Sequence, residues 1–356
     1  MDPERTTAKT EPLTIKEIAR LTGVSIGTVD RVLHNRGRVA PENVAKIQTL
    51  IEERGYRPNV LASRLSGKQV TRSIAVVMPD AEQDRGYWGL LRQGVERAAS
   101  ELEPLRIEIV VETFDRLKPE AAAKALQRAV AADCGALALA PIHARILRPL
   151  VEKLPTDLVV AFFDTDMDCS REHCFIGQDP FQGGKVASRL LDLSVPADRP
   201  LGLVQFDEDD EHLEARSRGF EEGCAQWGRR VERLTQSLSA AEAARVQEAE
   251  VFARAHPELG GWFVPNALAG DYAGLSERGR LVGYDLTSVN RKALEEGRLT
   301  ALLSQRPSFM GYEAVRRLGR ALVFQEALPA RVGIPLDVIF RENLAGHEDE
   351  ITPLPC

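Results

Sequence analysis

No stretch of this sequence approaches the ~20 consecutive apolar residues that a membrane-spanning helix requires, and no membrane association is expected. The first twelve residues, MDPERTTAKTEP, carry no hydrophobic segment of the kind a secretory signal needs; they read as a disordered tail. Cysteine is scarce: five residues, at 134, 169, 174, 224 and 356, an odd number without framework spacing. That excludes a disulfide scaffold and fits a reducing cytoplasm. Cys169, His173 and Cys174 lie close together, but no second ligand pair at zinc-finger spacing accompanies them, so no metal is expected. The P-loop lysine motif and a G-x-G-x-x-G after a strand are both missing. Neither a cofactor nor an enzymatic activity is expected.

What is present is concentrated at the start. Residues 14–37, TIKEIARLTGVSIGTVDRVLHNRG, place Ile15, Ile18, Ala19, Leu21 and Val24 on one face of a short helix. Gly23 supplies a turn position that tolerates left-handed dihedrals. Ser25 then caps a second helix, in which Val29, Val32 and Leu33 recur at i, i+3 and i+4. Two short helices crossing over a glycine turn make a helix-turn-helix. Its second helix suits the major groove, where each base pair shows its own donor and acceptor pattern. A third helix starts at Pro41, packs through Val44, Ile47, Leu50 and Ile51, and ends at Gly55. Between residues 13 and 72 there are 11 Lys or Arg against 5 Asp or Glu, whereas the whole chain carries −7. A basic head on an acidic body confines attraction for a duplex to the head. Beyond it, Val60, Leu61, Ala62, Arg64 and Leu65 suit a helix too short to stand alone in water.

Residues 23–65 resemble the DNA-binding headpiece of the LacI/GalR bacterial transcription regulators. GVSIGTVDRVLHN and YRPNVLASRL stand where the family reads GVS-x-x-TVSRVLN and Y-x-PN-x-x-AR-x-L, with Asp30 for the usual Ser and Ser63 for the usual Arg. The resemblance implies a DNA-binding domain over 13–57, after the tail at 1–12, and a hinge helix and linker over 58–72 that fold on DNA. It implies DNA contacts by Thr14, Ser25, Ile26, Gly27, Thr28, Asp30, Arg31, Asn35, Asn59, Ala62 and Leu65. By this resemblance Leu65 is expected to be the minor-groove wedge, and Arg31, early on the second helix, is expected to read guanine. Asp30 either accepts from a cytosine amino group or holds Arg31 or a neighbour in place.

From residue 73 onward, apolar runs at 74–78, 107–111, 136–140, 158–163, 201–206, 261–264 and 281–282 alternate with helix-favouring segments at 87–102, 119–132, 183–191, 217–227 and 240–255. Such alternation indicates α/β architecture with parallel sheets covered on both faces, and the number of strands calls for two lobes. The body resembles the periplasmic sugar-binding-protein fold that LacI/GalR regulators carry as their effector domain. Lobe 1 is expected over 73–178 and 306–332, lobe 2 over 179–305 and 333–356.

Ligands of parallel sheets sit outside the carboxyl ends of the strands. There the resemblance assigns effector contacts to Tyr87, Trp88, Asp164, Asp179, Phe181, Arg216, Asn266, Asp285 and Gln305, the aromatics stacking on a sugar ring. A hydroxyl both donates and accepts, so a polyol suits acceptor-only carboxylates beside Asn, Gln and donor-only Arg. His143 and the acidic loop 207–211 neighbour the same strand ends, and the loop reads as a solvated turn. The expectation is a DNA-binding transcriptional repressor in the cytoplasm, controlled by a monosaccharide or polyol. The C-terminal residues lack a leucine heptad, so a homodimer is expected, on pseudo-palindromic double-stranded operator DNA. The alternative is a sugar-binding or sugar-processing protein without a regulatory role. A gel shift on the protein's own upstream DNA, run beside a turnover assay, separates the two.

Overall fold

The computed structural model describes residues 14–33, 37, 39–54, 72–207 and 210–347. The expected tail over 1–12, and the expected DNA contacts Asn35, Asn59, Ala62 and Leu65, lie outside the described residues. The chain divides into two units, Met1–Gly67 and Lys68–Cys356.

In the first unit, three helices, α1 (Ile15–Thr22), α2 (Ile26–Leu33) and α3 (Pro41–Arg54), close around Ile18, Ala19, Val29 and Ile47. Thr14 Oγ1 accepts the Glu17 N–H at 3.2 Å and caps α1. Gly23, at φ 71°, ends that helix with its N–H on the Ala19 carbonyl. Ser25 Oγ accepts the Thr28 N–H at 3.1 Å and starts α2. One expectation needs correcting. Leu21, read as part of the packing face, is 45% exposed, because Ile15, Ile18 and Ala19 already fill the narrow stripe an eight-residue helix can cover.

The second unit alternates strands and helices along the chain. The strands are β1 (Arg72–Pro79), β2 (Ile107–Phe114), β3 (Ala136–Leu139), β4 (Val159–Phe163), β5 (Cys174–Gly177), β6 (Leu201–Phe206), β7 (Val231–Gln236), β8 (Gly261–Phe263), β9 (Arg280–Tyr284), β10 (Ala301–Ser304), β11 (Arg331–Gly333) and β12 (Asp337–Ile339). They form two sheets, β2-β1-β3-β4-β5-β11 and β7-β6-β8-β9-β10-β12. The first is parallel throughout, and the second is parallel except for β12 against β10. Each lobe is thus a copy of one arrangement, five parallel strands in the same order plus a late sixth. Central strands such as β1, buried over its last six residues, are continuous apolar runs because helices cover both faces.

The helices are α4 (Gln83–Leu102), α5 (Pro119–Ala131), α6 (Ala144–Val151), α7 (Pro180–Ser194), α8 (Glu211–Gln226), α9 (Glu242–Ala255), α10 (Ser288–Glu295) and α11 (Pro307–Phe324). The chain crosses between lobes after β5, after β10 and after β11. Arg306, on the second crossing, holds Asp337, just past the third, through Nε at 2.6 Å and Nη2 at 2.8 Å. Such a bidentate pair is directional and ties two strands of the hinge together.

Glycines set the closest helix pair. A Cβ on Gly184 of α7 would lie 2.0 Å from the Arg216 carbonyl oxygen of α8, and one on Gly219 would lie 2.0 Å from that of Phe181. Backbone touches backbone here, so an added methyl must push α8 and its side chains away. Gly184→Ala is expected to lower stability by about 1–3 kcal/mol. An unchanged urea midpoint would show that the helices have room to spare.

Candidate functional site

The two lobes present one carboxylate each from equivalent places. Asp164 follows β4 and Asp285 follows β9, the fourth strand of each sheet in the shared order. Both are buried, and both are left-handed, at φ 68° and 61°. Their N–H groups are pinned to the adjoining strands, Asp164 on the Ile176 carbonyl at 3.2 Å and Asp285 on the Leu303 carbonyl at 2.7 Å. Non-glycine residues held in this conformation cluster at functional sites, because the surrounding structure must over-determine them.

Polar groups gather round this pair. From the first lobe the Tyr87 hydroxyl donates to Asp164 Oδ1. Gln305, on the second crossing, donates to Asp285 through its N–H at 3.4 Å and its Nε2 at 3.3 Å. Gln178, on the first crossing, donates Nε2 to the Tyr284 hydroxyl at 3.1 Å. Arg216 of α8 lies flat on the Tyr284 ring, its Cζ 3.6 Å from the centroid, and donates Nη1 to the Pro265 carbonyl at 2.8 Å.

Electrostatics join the two halves. Burial, reinforced by the charges of Asp164 and Asp285, holds the Tyr87 hydroxyl well above the ordinary tyrosine range. Burial, with Asp164 adding to it against the opposing pull of Arg216, raises Asp285 to about 6. Residues from both lobes therefore share one electrostatic environment. Several buried polar atoms of this cluster have no hydrogen-bond partner: Arg216 Nε and Nη2, Gln178 Oε1, Gln305 Oε1, and Nε2 of His212. Leaving a buried donor or acceptor unpaired costs about 1–3 kcal/mol each, so their concentration marks a place for a polar ligand.

The lobes are drawn together by ion pairs across the cleft. Arg85 donates Nε to Asp271 at 2.8 Å and also pairs with Glu242. Arg116 reaches both Asp84 of its own lobe and Asp210 of the other, the latter at 3.3 Å. Asp84, Arg85 and Gly86 are consecutively left-handed, at φ 52°, 57° and 83°, immediately before Tyr87 and Trp88. His143, left-handed ahead of α6, bonds the Arg116 carbonyl through Nε2 at 2.7 Å. The expected solvated turn at 207–211 is corrected at Asp210, which is buried. Asp210 caps α8 through the His212 N–H at 3.2 Å and also accepts from the imidazole of that residue.

Other expected contacts fall differently. Trp88 is buried edge-on to Tyr87 and donates Nε1 to Asp84 at 2.7 Å. Asn266 is buried beyond β8, its Oδ1 accepting the Leu268 N–H at 3.1 Å. Asp179 and Phe181 stand outside the buried cluster. Asp179 is exposed and spends its carboxylate capping α7 on the Gln182 N–H at 3.2 Å, and the half-buried Phe181 ring lies under Lys185. His212, Thr165 and Gln178 were missed, as no motif marks them. A cavity of about 790 Å³ opens at the amino ends of β4 and β5, beside Glu152, Arg171 and Gln325. That is the opposite end of the sheet from Asp164, so the cavity takes no part in the site.

In the head, Ile26, Gly27, Asp30 and Arg31 are exposed on α2, with Thr28 half-buried. Arg31 Nε folds back onto the Gly27 carbonyl at 3.0 Å. Residues 23–27 spell the nucleophile pattern G-x-S-x-G, but Ser25 lies between two helices rather than after a strand, and its hydroxyl caps α2 and contacts Thr28 Oγ1 at 2.9 Å. Among the described residues no group of three or more His, Cys, Asp or Glu suits a metal ion, and no helix is long and apolar enough to cross a membrane.

Fold and site define a two-lobed protein with a ligand cleft, joined to a helix-turn-helix. Residues 74–326 match the periplasmic binding protein domain model, and residues 14–59 match the model of bacterial regulatory proteins of the lacI family. The chain belongs to the periplasmic binding protein domain family and carries a lacI-family head. It is 40% identical over 89 residues to the HTH-type transcriptional regulator DegA of Bacillus subtilis (strain 168), covering 25% of this chain and 26% of that one. It is 36% identical over 89 residues to the regulator GalS of Salmonella typhimurium, covering 25% of each. The aligned stretch thus spans about a quarter of these curated relatives. Among solved structures, a putative LacI transcriptional regulator from Bacteroides fragilis superposes with a TM-score of 0.68 at 19% identity, over 78% of this chain and 99% of that one. A periplasmic solute-binding protein from Actinobacillus succinogenes 130z with bound D-allose gives 0.67 at 17% identity, over 77% and 99%.

The raised Asp285 has a consequence for stability. A carboxyl that prefers to be protonated in the fold stabilises fully below its unfolded value near 4, and that contribution disappears as pH rises through about 6. At pH 7.5 the ionised group costs on the order of 2–3 kcal/mol. Asp285→Asn is therefore expected to raise the thermal midpoint of the ligand-free protein at pH 7.5, with the gain vanishing toward pH 4. A midpoint lowered at pH 7.5, or a gain independent of pH, would contradict the assignment.

Proposed function

We propose that the chain is a sequence-specific DNA-binding transcriptional regulator, a repressor, whose operator affinity is set by a monosaccharide or related polyol bound between its lobes. The observation that carries this reading is the set of unpaired buried atoms on Arg216, Gln178, Gln305 and His212, gathered with two opposed carboxylates. A polyol satisfies such a set. Each hydroxyl oxygen accepts from the Arg216 edge while its proton goes to Asp164, Asp285 or a glutamine oxygen. Charge favours a neutral ligand, since a third anion beside Asp164 and Asp285 would be repelled. The D-allose held by the Actinobacillus succinogenes neighbour accords with this chemistry.

The ligand acts by closing the lobes. Cross-cleft pairs of Arg85 and Arg116 form only when the lobes meet, and the Arg306–Asp337 hinge constrains how they meet. A ligand that binds the closed arrangement better shifts the population toward it, and by no more than that difference. In a cytoplasmic homodimer this shift changes the spacing of two heads on a pseudo-palindromic operator. Thr14 and Ser25 cap helices and offer hydroxyls at helix starts, where DNA phosphates are well received. Nothing in the cleft requires turnover, and the protein is read as a non-enzyme.

Arg31, exposed on α2, is the residue we expect to read a base. Arg31→Ala is expected to reduce the preference for operator over scrambled DNA by ~1–3 kcal/mol while leaving non-specific binding largely intact. Fluorescence anisotropy with both duplexes at one salt concentration measures the ratio. A wild-type ratio in the variant removes Arg31 from base reading, and a wild type without any preference removes the operator.

A further inference from the structure

His212 is the least expected member of the cleft. It stands one turn before Arg216 on α8, and residues four apart share a helix face, so both belong to the face turned to the first lobe. It is 9% exposed. Its Nδ1 lies 2.8 Å from Asp210 Oδ1 and 3.1 Å from Thr165 Oγ1. An ionised carboxylate only accepts, so Nδ1 carries a proton and donates, which leaves Nε2 as the ring atom that can bond a ligand. That atom is buried and has no partner.

The mounting comes from both lobes. Asp210 is held from the first lobe by Arg116 Nη2 at 3.3 Å. Thr165 also belongs to the first lobe, and its hydroxyl donates to Asp164 Oδ2 at 3.4 Å, which sets the imidazole next to a ligand-facing carboxylate. We infer that His212 is a specificity-determining residue of the cleft, whose Nε2 hydrogen-bonds one hydroxyl of the ligand and is aimed only when the lobes close. This rests on the polyol reading and adds a particular demand to it, a hydroxyl at one position of the ligand. A site built to bond a hydroxyl discriminates against the analogue lacking it, because its own buried group is left unpaired.

The test uses His212→Asn in the full chain. The Asn amide nitrogen takes the place of Nδ1 and still donates to Asp210, but nothing replaces Nε2. Thermal shift with D-ribose, D-arabinose, D-allose, D-galactose and D-glucose selects the sugar that stabilises the wild type. Calorimetry then compares wild type and variant on that sugar and on each of its monodeoxy derivatives. The variant is expected to bind the parent sugar about tenfold more weakly, and one monodeoxy sugar is expected to bind both proteins alike. Full affinity for the parent sugar in the variant, or the same loss for every derivative, overturns the inference and leaves the polyol reading standing. A wild type that none of the sugars stabilises overturns both. Should His212→Asn fail to fold, Thr165→Val removes part of the mounting, and an unchanged affinity for the parent sugar in that variant overturns the inference as well.

Discussion

The rest of the body depends on keeping two carboxylates, Asp164 and Asp285, buried in one small space beside the guanidinium of Arg216. Burial alone disfavours an ionised carboxylate, a second one beside it adds to the cost, and the rise of Asp285 to about 6 follows from both in that order, against the pull of Arg216. The fold holds them by the same device twice. Each follows the fourth strand of its sheet, turns into left-handed backbone, and is pinned by its N–H to the next strand. Arg216 is held in turn by the Tyr284 ring and the Pro265 carbonyl, and by the glycine contact that brings α7 against α8. The incomplete satisfaction of these groups is the observation on which the proposed hydroxylated ligand rests.

Closure follows from the same placement. The carboxylates sit on different lobes, so the shared environment exists only when the lobes meet. The meeting is secured at the cleft mouth by Arg85 with Asp271 and Glu242, and by Arg116 with Asp210. The left-handed residues Asp84, Arg85 and Gly86 lead directly into Tyr87, so the cross-lobe ion pairs and the Tyr87–Asp164 hydrogen bond meet on one short segment. Strain of this sort, about 1–3 kcal/mol for each non-glycine residue, persists only while its partners stay in place. A small ligand can therefore influence a large rearrangement, within the limit set by its own preference for the closed arrangement.

The sequence was most legible where burial imposes a period. The run at 201–206 coincides with β6, and the run at 74–78 falls inside β1, because strands covered on both faces must be apolar throughout; the run at 107–111 falls inside the half-buried edge strand β2. Val231–Gln236 was not recognised, since an edge strand buries few of its side chains and VERLTQ reads as surface. Short β5, β10, β11 and β12, and the eight-residue helices α6 and α10, carried too little pattern to stand out, whereas α11, with Met310, Ala314, Leu318 and Leu322 at helical spacing, was legible but not named. Of the site, Tyr87, Asp164, Arg216, Asp285 and Gln305 were anticipated from a family resemblance, and they gather in one buried cluster. Asp179 and Phe181 were named with them but have other local duties at the start of α7. His212 stayed hidden because its role arises from Thr165 and Arg116, dozens of residues away, and no spacing rule connects them.

Reciprocity tests the central claim, that one two-state arrangement of the lobes links the cleft to DNA, more directly than any single substitution. If the stabilising sugar changes operator affinity by some factor, operator must change sugar affinity by that same factor. Operator binding measured by anisotropy with and without saturating sugar, and sugar binding measured by calorimetry with and without saturating operator, give the two factors at one salt concentration. The account predicts equal factors of roughly 5–150. Operator affinity that stays constant at saturating sugar would contradict it.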